Sequence, residues 1–171
     1  MPQSTDEGLC ILSLFSMTIC NLLNRDTLAP QLGWKRGVTM HAQGTFVVKI
    51  SPAAASDLAQ EAGLGRMTID KTFAGDLEGT SKGEMLTGGA ESTGAMAYVA
   101  LERVTATLNG QSGTFLLMHT ASMLKSDPGS GTLHVTVVPH SGTEELAGLA
   151  GTMRITIEDG KHYYDFEYQR Q

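Results

Sequence analysis

From Met40 onward the apolar residues recur at every second position, in run after run. A period of two puts alternate side chains on opposite faces of an extended chain, so each run reads as a strand that buries one face. Phe46, Val48 and Ile50 alternate with Thr45, Val47 and Lys49, and Met67, Ile69 and Phe73 alternate with Arg66, Thr68, Asp70 and Thr72. The next run sets Leu77, Gly79, Ser81, Gly83 and Met85 against Asp76, Glu78, Thr80, Lys82 and Glu84. Five more follow at about 94–108, 113–123, 131–138, 151–158 and 161–169, divided by turn signals such as Asn109-Gly110 and Asp159-Gly160. Eight strands are predicted. Short links favour antiparallel pairing of sequence neighbours, because a parallel crossover needs a dozen or more residues. An all-β, closed antiparallel barrel leaves no exposed sheet edge and is the expected architecture, with a two-sheet sandwich as the alternative. One helical interlude is expected, with Ser51 as its cap, Pro52 in its first turn and its end at Leu64.

The 39 residues before the barrel have another composition. They hold both cysteines, Cys10 and Cys20, and the only tryptophan, Trp34, whereas all five histidines and all four tyrosines follow Met40. Arg25, Lys35 and Arg36 balance Asp6, Glu7 and Asp26, so the whole net charge of −6 belongs to 40–171. The chain therefore divides into an extension over 1–39, read as a short helix or an unstructured leader, and a barrel domain over 40–171. Leu9–Cys20 is the most apolar stretch, but Asp6 and Glu7 stand where a secretory signal carries positive charge. A cytoplasmic protein with reduced cysteines is expected. No apolar run approaches the ~20 residues needed to span a bilayer, and the acidic balance argues against nucleic acid, whose phosphates call for Lys and Arg.

Several familiar chemistries are absent. The glycines of Leu77-x-Gly79, Leu108-x-Gly110 and Leu146-x-Gly148 suit turns and bulges, and Gly79-Thr-Ser-Lys82-Gly83 has the wrong order for a phosphate-binding loop. Gly110-Gln-Ser112-Gly113 lacks the spacing of a nucleophile elbow. There is no H-E-x-x-H, and a His119–His162 pair would have only Glu102 as a third metal ligand. No metal and no cofactor are expected.

Five ordered motifs carry a resemblance. They are Lys71-Thr-Phe-Ala-Gly75-Asp-Leu-Glu-Gly79, Tyr98-Val-Ala-Leu-Glu102-Arg-Val, Phe115-Leu-Leu-Met-His119, Val137-Val-Pro-His-Ser141-Gly-Thr and Asp159-Gly-Lys-His162-Tyr-Tyr-Asp-Phe-Glu-Tyr168. Over Met40 to Gln171 the chain resembles a bacterial family of small proteins of unknown function, whose barrel is similar to that of allene oxide cyclase. The resemblance implies a closed antiparallel barrel and transfers no activity. The chain departs from the family pattern at His140, where Asp is usual, and at Ala106 and Glu144, where Gly is usual.

Strand parity then selects candidate site residues. A polar residue on an otherwise apolar face is the informative exception. Lys71 lies between Ile69 and Phe73, Glu102 and Tyr98 share a face with Val104, and His119 shares one with Phe115 and Leu117. His162, Tyr164 and Tyr168 share the face of Phe166. The lumen is expected to hold Lys71, Tyr98, Glu102, His119, His162, Tyr164 and Tyr168, with Gly79, Ser81 and Gly83 leaving room opposite. Charges in a dry lumen must pair, and Lys71 with Glu102 is the natural pair. The reading is a barrel that binds a small, largely apolar ligand beside a few polar groups. One alternative is cofactor-independent proton transfer of isomerase or cyclase type, using Glu102, His119 and Lys71. The other is a structural or self-associating module, since Val99, Leu101, Leu116 and Met118 make the outer faces of two strands apolar as well.

Overall fold

The computed structural model describes residues 38–170. The readings of Cys10, Cys20, Trp34 and the apolar stretch Leu9–Cys20 lie outside the described residues. Eight strands form where the alternation runs: β1 (Met40–Ala53), β2 (Gly65–Gly75), β3 (Leu77–Ala90), β4 (Ala95–Leu108), β5 (Gln111–Leu124), β6 (Asp127–Val137), β7 (Leu149–Glu158) and β8 (Lys161–Arg170). Each pairs antiparallel with its sequence neighbours, and β1 closes on β8, giving a closed barrel in sequence order. Among the described residues no helix is long and apolar enough to cross a membrane.

Two of the hairpins turn as their sequences require. Asn109 and Gly110 take φ of 47° and 83°, and Asp159 and Gly160 take 49° and 75°. Positive φ at both central residues matches the right-handed strand twist, and Asn-Gly and Asp-Gly adopt it readily. His140 and Glu144 also sit at positive φ, 61° and 52°. A glycine at either position would meet no Cβ penalty.

The helical interlude is shorter than expected and starts later. Ser51, Pro52 and Ala53 finish β1, where Pro52 stands opposite Met67. Pairing of β1 with β8 ends at Phe46, so Pro52 lies where β1 has a neighbour on one side only, and its missing N–H is tolerated there. The helix α1 spans Asp57–Glu61 and is capped by Ser56, whose Oγ accepts from the Ala59 N–H at 3.3 Å.

The two ends of the barrel differ. At one end Leu77, Leu108, Phe115 and Phe166 fill the lumen, and Leu146 from the 3-10 turn Glu144–Leu146 is buried with them. Phe115 stacks on Phe166 and Phe166 on Tyr168, at centroid distances of 6.1 and 5.2 Å. At the other end the lumen-facing positions Ile50, Met96, Leu133 and Ile157 are 50, 42, 41 and 62% exposed, so the lumen opens to solvent there. The wall is also uneven. β3 and β4 pair over all fourteen positions, but β6 and β7 share one register pair, Thr136 with Thr152. Beyond it, towards the open end, Leu133 and Ile155 face the lumen on strands that are not laddered together.

Candidate functional site

Between the filled end and the open end lie the buried polar side chains. Lys71, Ser81, Glu102 and His119 are 5, 2, 0 and 3% exposed, on β2, β3, β4 and β5 in turn. Register brings them together: Lys71 stands opposite Ser81, Glu102 opposite Gly83, and His119 one lumen-facing step from Leu117, the partner of Glu102. Gly83 makes the approach possible. A Cβ there would lie 2.4 Å from the Leu101 carbonyl oxygen and 2.8 Å from Glu102 Cα. Gly83→Ala should therefore push β3 off β4 beside the carboxylate and cost about 1–3 kcal/mol, the usual range for overpacking, in chemical denaturation. An unchanged midpoint would show that the strands can part without loss.

Glu102 is the hub of the cluster. Its Oε2 accepts from Lys71 Nζ at 2.7 Å, and its Oε1 accepts from Ser81 Oγ. His119 Nε2 lies 2.9 Å from Oε2 and is sealed from solvent, with Glu102 as the group it faces. Burial alone would push the Glu102 carboxyl up. His119, Lys71 and Ser81 together outweigh that and hold it at about 2, so it is ionised at neutral pH. The Lys71 ammonium is held from the other side by aromatic faces, 4.9 Å from the Phe46 centroid and 5.7 Å from that of Phe73.

The other sequence candidates divide by depth. Tyr98 is half-buried on the open side of the cluster, packed with Ile69, Met85 and Ala100, and burial followed by the Glu102 charge raises its phenol above the ordinary value. His162 is half-buried and packs on Phe46 at 5.0 Å. Tyr164 and Tyr168 belong to the filled end and hold the framework. The Tyr164 hydroxyl accepts from the Leu77 N–H at 2.8 Å, and the Tyr168 hydroxyl accepts from the Asn109 side chain at 2.8 Å. Gly79, Ser81 and Gly83 leave no room for a ligand: Ser81 supplies a donor, and the space beside both glycines is taken by β4. Phe46 and Phe73 join the site through their faces beside Lys71, although in sequence both read only as core residues of the dry sides of their strands.

Outside the barrel wall, β3, β4 and β5 carry an apolar groove of 540 Å³ lined by Leu86, Val99, Leu101 and Met118 and bordered by the Arg66–Glu84 ion pair. Among the described residues no three metal-ligating side chains converge.

A small closed antiparallel barrel with one filled end, one open end and a charged cluster across its lumen is thus the class of protein defined here. The family model described as "Protein of unknown function (DUF3224)" matches residues 42–168, and the chain belongs to that family. Its barrel is similar to the crystal structure of a DUF3224 protein of unknown function from Shewanella oneidensis, with 43% identity and a TM-score of 0.70 over 78% of this chain and 98% of that one. No curated protein matches the chain.

Proposed function

We propose that the barrel binds one small, largely apolar molecule, admitted through its open end and seated against Lys71, Glu102 and His119. The observation that carries this reading is a fully buried ion pair lying below lumen positions that remain exposed. Stability does not account for such a pair, because well-packed apolar residues of similar volume serve a core equally well or better. A site that orients a ligand in an apolar cavity does need a few fixed polar groups. For the alternative of proton transfer, the position of Glu102 matters. A carboxylate held at about 2 is a weak base at neutral pH, so it would orient His119, and the imidazole would carry the proton.

A thermal-shift screen of apolar metabolites tests the binding reading. A ligand at 100 times its Kd adds about 2.7 kcal/mol to stability, or roughly 8–10 °C in Tm for a domain of this size. Ala121→Trp fills the lumen between Tyr98 and Leu133, its register partners, and is expected to abolish the shift. Shifts of equal size in both proteins, or none in the wild type, would leave a register-fixing polar network as the role of the cluster.

A further inference from the structure

We infer that the molecule bound in this lumen is electrically neutral, an apolar ketone, aldehyde or alcohol rather than a carboxylate, a phosphate or an amine. This rests on the binding reading above and specifies its ligand class. The ionic capacity of the cluster is already used within the protein. The Lys71 ammonium contacts Glu102 at 2.7 Å and the faces of Phe46 and Phe73, and the Glu102 carboxylate contacts Lys71, Ser81 and His119. Among the described residues the buried lysine is Lys71 and the buried carboxylate Glu102, and their charges cancel, with the imidazole of His119 beside them. A ligand carboxylate would face an ammonium already neutralised and a carboxylate of its own sign. A ligand ammonium would meet a carboxylate already holding three partners. Either would leave water for an apolar wall without a counter-ion, which is the costly case for any ion.

Neutral hydrogen-bonding capacity is left over. Tyr98 presents a hydroxyl on the lumen face at the open side, with no hydrogen bond among the described residues. His119 turns Nε2 to Glu102, and no hydrogen bond among the described residues occupies its second ring nitrogen. A phenol can donate to a carbonyl or accept from an alcohol, and an imidazole nitrogen does either according to its tautomer. Beside them Ile69, Met85 and Ala100 pack with the partly buried Val48 and Met67, so the wall next to these polar atoms is hydrocarbon.

Four eight-carbon probes separate the possibilities: 2-octanone, 1-octanol, octanoate and octylamine, titrated calorimetrically against the full chain at pH 7. The ketone or the alcohol is expected to bind at least ten-fold more tightly than octanoate and octylamine. Tyr98→Phe is expected to weaken that neutral probe five- to ten-fold, with an unchanged circular dichroism spectrum. Octanoate or octylamine binding as tightly as the neutral probes would overturn the neutral-ligand inference and leave the binding reading in place. Failure of all four to bind would count against both.

Discussion

Lys71→Met is expected to destabilise the barrel by about 3–5 kcal/mol, the usual cost of removing one partner of a buried ion pair. The residual state explains the size of the effect. Glu102 would keep Ser81 and His119 but lose the ammonium 2.7 Å away, at a position with no exposure to water. The carboxylate must then stay ionised without a full counter-charge or take up a proton, and both routes cost stability. Replacing both groups removes the problem. Lys71→Met combined with Glu102→Leu leaves apolar side chains of similar volume beside Val48 and Leu117, their register partners, so the double variant should lose much less than the two single losses added together. Urea denaturation of the four proteins gives the coupling directly, expected at about 2 kcal/mol or more, against the few tenths seen for independent sites. Strict additivity would mean that the pair is not a unit, and the account of the site would fail with it. Domains of this kind have about 5–15 kcal/mol in total, so the single variant should remain folded but be visibly weakened.

Much of this arrangement is legible in the sequence, and the limit has a physical origin. Alternation tells which face a side chain occupies, and that placed Lys71 in the lumen, whereas β4 and β5 are apolar on both faces and a bulge could have turned Glu102 or His119 outward. The unbroken register of β3, β4 and β5 keeps both inside, where Glu102 pairs with Lys71. Alternation does not tell depth along the barrel axis, which depends on how far each strand is staggered against the next. Tyr164 and Tyr168 therefore looked equivalent to Tyr98 in sequence, yet they brace the filled end while Tyr98 stands on the open side. The same limit hid the open end, since Ile50, Leu133 and Ile157 have the parity of core residues and only the stagger exposes them. In sequence Ser81 reads as a space, because small residues on a dry face ordinarily mark close approach. Its hydroxyl could be recognised as a donor only once register had set Lys71 opposite it and Glu102 one step away. Pro52 pointed to a helix start, for which proline is well suited, but a strand edge without a second neighbour accommodates it equally well.

Acid should remove a measurable part of the stability through the same carboxylate. Glu102 lies at about 2 in the folded barrel against 4.5 for the ordinary group. Burial pushes it up, and the contacts from His119, Lys71 and Ser81 more than reverse that. A folded value below the unfolded one means that the unfolded chain binds the proton first as pH falls. The contribution is therefore complete above about pH 5, declines as pH drops through 4.5, and is gone below about 2. At 1.36 kcal/mol per unit the displacement corresponds to about 3 kcal/mol. Exposed carboxylates titrate over the same window, so the wild type alone cannot assign the loss. Glu102→Gln supplies the reference, because it keeps the shape and the acceptor for Ser81 but cannot titrate. The stability difference between the two proteins, measured by urea unfolding at pH 7, 5, 3.5 and 2, should shrink by about 3 kcal/mol from the first pH to the last. A difference that stays constant across the series would mean that Glu102 titrates alike in both states, and that its three contacts do no more than offset the cost of burying it.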